Sequence, residues 1–537
     1  MKRWDIFFFI LPLLVLSGAY YGISQDLEPE EPEIVLPSII LEIEDLSIES
    51  VTAALPEEEE LLPPELRFPL PEAGELEVAE PQMDFTIPET GAPVYQVKEG
   101  KYLTAEAVLG TGTSNQFYSR ISLYFLGEKP EGKILYQHET VDGFSSKSPG
   151  SGYNMREDRV ESFLNFNLWD IDLRTEGAFN DRERGLQGNG DFYSKINRFI
   201  DAGLEGEYRL NDRFILKGSF EASSANQLLT KVIPGTEEVN EYYISTSFGG
   251  EFQFTRGLFG ILPSFSYRSI PEYPGLSLGR SLVQGYFGVD LSEVYRLDGT
   301  LGWFWSKKSG HLVPFDLTLS ALISDFLSLS IGGGYRILEY NLADIFMEYP
   351  LGNIPSTLED NHGWFFDVRT NWIPFQGWII DAGLFYMNNS SMPNFLKTVN
   401  ENTGLFPFYQ VPAHRLSVDI GARWIISDSF SARAGLESEV LEKPEFYPEH
   451  RITLDMNMIE KQGKYGGGAT LDFSTGVNDF IQAPLLDLSG FYRLGEFVRF
   501  VVEASDLLYP LLDGPRYYWY PYVDPGFTLS MKVHINF

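Results

Sequence analysis

Residues 525–537, the end of the chain, read PGFTLSMKVHINF. Every second residue counted back from the end is apolar, and the set is Phe537, Ile535, Val533, Met531 and Leu529. The residues between them are polar. A period of two places the two sets on opposite faces of a β-strand. The sequence therefore predicts a last strand with one apolar and one polar face, ending on an aromatic residue.

The same alternation recurs earlier in the chain. It is clearest in HRLSVDIGARW (414–424), FSARAGLESEV (430–440) and RITLDMNM (451–458). A helix would not sort apolar and polar residues by parity, so these stretches are predicted strands. Their polar face carries charges of both signs: Arg415, Asp419, Arg423, Arg433, Glu437, Glu439, Arg451 and Asp455.

The connections between the predicted strands alternate between short and long. Short ones are predicted within 167–172, 209–214, 254–259, 295–300, 322–327, 372–377, 425–430, 460–465 and 493–498. Longer polar ones are predicted near 141–157, 181–193, 224–240, 269–279, 341–361, 388–411 and 506–525. Short turns at one end and long loops at the other are typical of outer-membrane barrels. The predicted fold is all-β, a transmembrane antiparallel up-and-down barrel of about 22 strands.

In such a barrel the apolar face meets lipid and the polar face lines the lumen. The eight charged residues above are therefore predicted to face the lumen, where they line a solute path or dock a plug. The alternative is structural, because cross-strand pairs of opposite charge stabilise a wall by ~0.2–1 kcal/mol each. The aromatic clusters YYWYPY (517–522) and FPFY (406–409) fit either interfacial girdles or ordinary loop packing.

The first 95 residues have a different composition. Residues 1–24 combine Lys2 and Arg3 with a short apolar stretch, which predicts a secretory signal peptide. Residues 25–95 are rich in proline and glutamate, which predicts a largely disordered acidic periplasmic arm. This arm is either a solvated spacer or a segment that binds a partner. The barrel is predicted to occupy residues 96–537.

Composition excludes several classes of function. The formal charge of −36 argues against nucleic-acid binding, which requires a basic surface. The chain has no cysteine, so disulfides, thiolate metal sites and thiol nucleophiles are excluded. Its six histidines are scattered and form no HxxxH or HExxH spacing. We expect no enzymatic activity, no metal and no cofactor.

The C-terminal strand resembles the assembly signal of bacterial outer-membrane proteins, which the barrel-assembly machinery reads. The signal here is Phe537, Ile535, Val533, Met531 and Leu529. Residues 492–537 are similar to the C-terminal end of TonB-dependent receptors. Ser505-Asp506-Leu507-Leu508 stands where that family ends its penultimate strand, and Pro525-Gly526-Phe527 replaces its Pro-Gly-Arg. The resemblance implies a protein of the Gram-negative outer membrane that contacts lipid.

The chain departs from that family at its N-terminus. Receptors of the family carry a plug domain inside the barrel, and no strand pattern capable of forming one precedes residue 96. The acidic arm, inward-folded loops or a periplasmic partner would then fill the lumen. The family's energy-coupling segment resembles Glu49, Ser50, Val51, Thr52 and Ala53, which implies contact with an energy-transducing inner-membrane protein.

Two functions follow from these features. The first is an outer-membrane transporter or channel for solutes, similar to a TonB-dependent receptor without a plug. The alternative is a non-conducting outer-membrane anchor or scaffold whose acidic arm recruits a periplasmic partner.

Overall fold

The structure is a computed structural model that describes residues 103–127, 130–231, 236–355, 357–443, 445–476, 483–512 and 514–537. The predicted signal peptide (1–24) and acidic arm (25–95) lie outside these residues. The barrel predicted from residue 96 is described from residue 103 onward.

Twenty-five strands and one short α-helix follow one another along the described residues. The first strands are β1 (Leu103–Gly112), β2 (Phe117–Leu126), β3 (Glu131–Asp142), β4 (Asn154–Leu168), β5 (Ile171–Gly185), β6 (Phe192–Asn211), β7 (Phe214–Lys231), β8 (Thr236–Phe254), β9 (Gly257–Ser269), β10 (Leu278–Asp290), β11 (Tyr295–Ser306) and β12 (Gly310–Leu312). They continue with β13 (Phe315–Ser324), β14 (Leu327–Leu338), the helix α1 (Leu342–Glu348), β15 (Asn361–Trp372), β16 (Trp378–Phe395), β17 (Phe408–Ser427), β18 (Phe430–Glu439), β19 (His450–Ile459), β20 (Tyr465–Thr475), β21 (Leu485–Leu494), β22 (Val498–Ser505), β23 (Tyr517–Trp519), β24 (Tyr522–Val523) and β25 (Thr528–Asn536).

Twenty-two of these strands form one closed antiparallel ring. Each ring strand pairs with its neighbours along the chain, and β25 closes the ring by pairing with both β22 and β1. The closing register sets Ile535 opposite Ala107. The short strand β12 pairs with β11, and β23 pairs with β24 in the connection that precedes β25. The prediction of an all-β barrel of about 22 strands is confirmed.

The two faces of the wall differ in the way that the alternation predicts. Large apolar side chains remain exposed around the ring, among them Leu109, Phe220, Leu317, Met456 and Met531. A globular protein in water would bury most of these side chains, whereas a barrel wall exposes them to lipid. The backbone of each strand is paired on both sides, so the ring leaves no open edge in the membrane. None of the helices among the described residues is long and apolar enough to cross a membrane.

The connections also differ between the two ends of the ring. At the end that holds Leu103 and Phe537, which we call the turn end, every connection has two to five residues. At the opposite end, which we call the loop end, the longest connections are 339–360 and 506–527. The connections after β1 and β7 are the two short ones at the loop end. The predicted alternation of short and long connections is therefore confirmed in outline.

Two details of the predicted connections were wrong. Residues 295–300 are not a turn but the start of β11, because the turn lies at 291–294. Asp298-Gly299 is a sequence typical of turns. In the wall, however, Gly299 makes room for the ring of Phe287, which would lie 2.6 Å from a Cβ at this position. The predicted loop at 224–240 is mostly strand, since β7 runs to Lys231 and β8 begins at Thr236.

Candidate functional site

The eight charged residues that were predicted to face the lumen lie together on three adjacent strands. Six of them form two rows across β17, β18 and β19: Asp419–Glu437–Arg451 and Arg423–Arg433–Asp455. Arg415 and Glu439 belong to the same face, which is opposite to that of the exposed Ile420 and Met456. Whether these side chains line a solute path stays a prediction.

Charge pairing accounts for part of this arrangement. Arg415 forms an ion pair with Glu439 at 2.6 Å, and Arg451 forms one with Asp472 of β20 at 2.6 Å. Within the rows, however, Asp419 lies opposite Glu437, so two like charges are neighbours. Like charges directly opposite each other destabilise a sheet. Stiffening of the wall by ion pairs therefore does not explain the whole set.

The predicted assembly signal forms the seam of the ring. The backbone N–H of Phe537 donates to the carbonyl of Ala105 at 2.9 Å, and the hydroxyl of Thr104 donates to the carbonyl of Phe537 at 2.9 Å. Met531 and Leu529 are exposed on the apolar face. These contacts join the two ends of the barrel sequence, and recognition of the strand by the assembly machinery stays a prediction. The predicted partner segment, Glu49 to Ala53, lies outside the described residues.

The main buried cluster of the described residues lies at the loop end, and we call it the loop cap. It draws side chains from six loop-end connections and from the adjoining ends of the wall strands. Its members are Leu186, Phe192, Phe199, Ala225, Leu229, Val239, Ile270, Leu276, Leu342, Ala343, Ile345, Phe346, Tyr349, Leu351, Leu358, Phe395, Leu405, Phe406, Phe408, Phe446, Trp519 and Tyr522. Inward-folded loops, one of the three predicted fillings of the lumen, are therefore present.

The two aromatic clusters belong to this cap. Trp519 stacks on Phe446 with ring centroids 4.8 Å apart, and its edge meets Phe406 at 5.7 Å. Trp519, Phe406 and Tyr522 are all buried. The interpretation as interfacial girdles is wrong for these residues, and the alternative of loop packing is confirmed. The aromatic rings lie in loops that fold over the lumen, where the nearest apolar surface is the cap and not lipid.

Hydrogen bonds within the cap join connections that are far apart around the ring. The N–H of Asp191, between β5 and β6, donates to the carbonyl of Asn402, between β16 and β17, at 2.9 Å. Ten ring strands separate these connections in one direction and twelve in the other. The hydroxyl of Tyr522 donates to the carbonyl of Gly404, and the Gln187 side chain donates to the carbonyl of Val523 at 2.9 Å. The cap therefore spans the mouth of the barrel.

Burial in the cap changes the acidity of several loop groups. Burial raises the pKa of the Glu339 carboxyl, while Arg280 opposes this effect. It also raises the pKa of Asp344 in α1 and raises that of Tyr340 to about 12. At Asp524, in the connection before β25, burial raises the pKa to about 6. At neutral pH the cap thus holds carboxylates that are costly to keep charged.

Below the cap, polar side chains of the wall are in open space. The Arg369 side chain is 74% exposed, and that of Glu207 is 51% exposed. Both lie on the face opposite the apolar one, nearer the turn end than the cap. Among the described residues no group of three or more His, Cys, Asp or Glu side chains could hold a metal ion. Near the turn end, the polar face of the described wall therefore presents exposed charged side chains.

Sequence reasoning missed the loop cap as a unit. One signal was available, since the connection 339–360 contains LADIFMEYPL, which is too apolar for a loop that extends into water. The structure uses this stretch for α1 and the buried Tyr349 and Leu351. No periodic pattern in the sequence indicates which connections pack against each other, so these contacts could not be predicted.

No protein-family model matches the sequence, and the curated proteins contain no match to it. Solved structures share its fold. A mutant of the ferric enterobactin receptor PfeA from Pseudomonas aeruginosa aligns with a TM-score of 0.61 at 10% identity, over 82% of this chain and 81% of that chain. The copper transporter OprC aligns with a TM-score of 0.62 at 12% identity, over 81% of this chain and 80% of that chain. The siderophore receptor PiuA from Acinetobacter baumannii aligns with a TM-score of 0.60 at 10% identity, over 81% and 82%.

At these identities the likeness establishes a common fold, the large barrel of the outer membrane. The predicted resemblance to TonB-dependent receptors is confirmed at this level. The absence of a plug stays a prediction, because residues 1–102 lie outside the described part of the chain.

Proposed function

We propose that this protein is a gated conduit that moves solutes across the outer membrane, with the loop cap as its gate. The observation that carries the proposal is the way in which the mouth is closed. Loops that pack on one another close it, and loops can move without breaking the backbone pairing of the ring. A ring of 22 strands is wide enough to hold an aqueous channel or a plugged lumen once such loops withdraw.

Two further features support transport. Wall residues of both charges, including Asp419 and Arg433, lie on the polar face, as expected for a surface that contacts water. The structural neighbours are described as a ferric enterobactin receptor, a copper transporter and a siderophore receptor, and each of these names concerns the handling of a solute. By analogy with the family that the C-terminus resembles, residues Glu49 to Ala53 would contact an energy-transducing periplasmic partner. That the chain has no enzymatic activity stays a prediction.

One observation favours the second function, a sealed anchor or scaffold. The loop cap contains 22 buried hydrophobic side chains, which is a substantial core for a set of connections. A core of this kind could close the barrel permanently, and the acidic arm would then serve to recruit a partner. The two proposals differ in one measurable property, because an anchor conducts neither ions nor solutes.

Conductance in a planar bilayer tests the conduit. The wild-type protein is compared with the double variant Phe406→Ala/Trp519→Ala, which removes two central aromatic rings of the cap. Such truncations cost about 3–5 kcal/mol each, enough to shift the cap toward open states. The matched control is Phe259→Ala/Trp303→Ala, which truncates two exposed aromatic residues of the apolar face. Large conductance steps in the cap variant alone support the conduit. Silence in a correctly folded cap variant contradicts it.

A further inference from the structure

The connection 339–360, which carries α1, is held to the wall in two different ways. Its two ends are clamped by buried arginines. Arg268 donates to the carbonyls of Tyr340 and Leu358, and Arg280 forms an ion pair with Asp360 at 2.6 Å. Arg280 also lies 3.2 Å from Glu339. Every buried charge at this base has a partner, which is the condition under which buried charges stabilise a structure.

The tip of the same connection is held by β6. The Lys195 ammonium donates to the carbonyl of Gly352 at 2.6 Å, and the Asn197 amide donates to the carbonyl of Pro350 at 3.2 Å. Lys195 is 1% exposed and lies over the ring of Phe346, with the ammonium 4.3 Å from the ring centroid. It forms no ion pair with any described residue. We call these contacts of Lys195 and Asn197 with the tip the latch. Unlike the base, the latch buries a cation without an anion.

The wall beside the latch carries buried polar atoms that lack hydrogen-bond partners. Gln227 of β7 lies directly opposite Asn197, and both side chains are 2% exposed. Neither the amide nitrogen nor the amide oxygen of Gln227 has a hydrogen-bond partner among the described residues, nor has the side-chain oxygen of Asn197. Buried polar groups are nearly always satisfied, and the Gln227 amide nitrogen is a donor that a bound acceptor would satisfy. Lys195 also has ammonium hydrogens beyond the one that it gives to Gly352.

We propose that Lys195, Asn197 and Gln227 form a binding site for an anionic group, a carboxylate or phosphate of a solute, which competes with the cap for the wall. An anion would supply the countercharge that Lys195 lacks and would accept a hydrogen bond from the Gln227 amide. It would take the place of the Gly352 carbonyl, so its binding would release the tip from β6. The inference rests on the proposed function, since it names the chemistry that opens the proposed gate.

The direction of the movement follows from the remaining contacts. Gly352 also pairs with Phe406, and the N–H of Phe406 donates to the carbonyl of Leu351 at 3.0 Å. Release of the latch thus frees the tip from β6 but not from the rest of the cap. The base stays clamped at Arg268 and Arg280. The cap should therefore separate from β6 and β7, and a wall residue beneath it should become accessible.

Ala225 provides that reporter, because it lies on β7 under the cap and is 2% exposed. The chain has no cysteine, so Ala225→Cys creates a unique thiol. Its labelling rate by a thiol reagent is measured in the full-length protein, in phosphate and in chloride at equal ionic strength. We expect labelling to be at least threefold faster in phosphate. Equal rates in the two salts overturn the proposal.

Variants at the latch make the test specific. In the Ala225→Cys background, Lys195→Met should abolish the phosphate response, and Lys195→Arg should retain it because the positive charge remains. Lys464→Met, which removes an exposed lysine from the turn between β19 and β20 at the opposite end of the barrel, should leave the response unchanged. A phosphate response that persists in Lys195→Met overturns the proposal. If Lys195→Met does not fold, as judged by heat-modifiable migration, Gln227→Leu replaces it and should reduce the response.

The measurement also separates this proposal from the conduit. If phosphate accelerates labelling while the bilayer stays silent in every cap variant, the anion site stands and the conduit fails. If the cap variants conduct but phosphate changes no labelling rate, the conduit stands and the anion site fails.

Discussion

A Cβ atom added to Gly190 would lie 2.5 Å from the backbone nitrogen of Gly404. The two glycines belong to connections on nearly opposite sides of the ring, between β5 and β6 and between β16 and β17. Real Cβ atoms do not approach a backbone nitrogen so closely. The two connections can therefore meet across the mouth only because residue 190 has no side chain.

The first prediction concerns this contact. Gly190→Val should push the two connections apart and weaken the cap, because the obstacle is backbone and cannot rotate away. We expect the variant to show conductance steps that the wild type lacks. Gly275→Val is the matched control, since a Cβ at Gly275 meets nothing within 4 Å. Equal conductance in the two variants would show that the cap does not depend on this approach.

The second prediction locks the same connections together. The Asp191 N–H donates to the Asn402 carbonyl at 2.9 Å, so the two backbones are in direct contact. The pair Asp191→Cys/Asn402→Cys, added to Phe406→Ala/Trp519→Ala, should suppress its conductance when oxidised. A reducing agent should restore it. The native chain has no cysteine, so the single variants serve as controls. If the conductance is the same in the oxidised and reduced forms, ions pass by a route that these two connections do not block.

The wall could be predicted from the sequence because lipid on one side and water on the other impose a period of two. Ile420 and Asp419 are consecutive residues on opposite faces of the wall, so parity alone separates them. The same rule found both ends of the ring, from the first strand to Phe537. It failed at Gly299, where the sequence is typical of a turn but the small residue serves to accommodate Phe287 within the wall.

The cap could not be predicted in the same way. Trp519 and Phe446 stack although 73 positions separate them in the chain, and no local pattern encodes that contact. The burial of Lys195 could not be predicted either, because a single lysine near the start of a strand is common and does not indicate burial. Its burial under the tip of another connection appears only when the ring is closed. Contacts between loops depend on where the barrel brings their ends, which is a property of the whole chain.

The third prediction concerns the seam. Deletion of Phe537 removes the N–H that bonds Ala105 and the carbonyl that accepts from Thr104. It also removes an exposed aromatic side chain from the apolar face. We expect less protein to reach the membrane in a heat-modifiable, folded form. Phe537→Tyr retains both backbone contacts and an aromatic ring, so it should assemble normally. Normal assembly of the deletion variant would count against the role of this residue in closure.

The fourth prediction is a pH dependence of the cap. Burial raises the pKa of Asp524 to about 6, although Arg184 and Arg516 oppose the shift. A carboxyl whose pKa is higher in the folded cap than in the open state stabilises the cap at low pH. That contribution is complete below about pH 4 and is lost as the pH rises through about 6. In the Gly190→Val background, the open probability should therefore increase between these values.

The check on this assignment is Asp524→Asn, which should reduce the change in open probability with pH in that window. Glu401→Gln, which alters an exposed carboxylate in the connection before β17, should leave the pH response intact. A response that survives Asp524→Asn would assign the titration to another group of the cap.

The fifth prediction separates the cap from the acidic arm. Removal of residues 25–95 deletes the Pro/Glu-rich segment and leaves every described residue in place. Among the described residues, the cap consists of barrel connections and the adjoining strand ends, and its hydrogen bonds cross the mouth. We therefore expect the truncated protein to remain as silent in a planar bilayer as the full-length chain. A large, steady conductance after truncation would mean that the arm is needed to close the lumen. In that case Phe406→Ala/Trp519→Ala should add little to the conductance of the truncated protein, because the main barrier would already be gone.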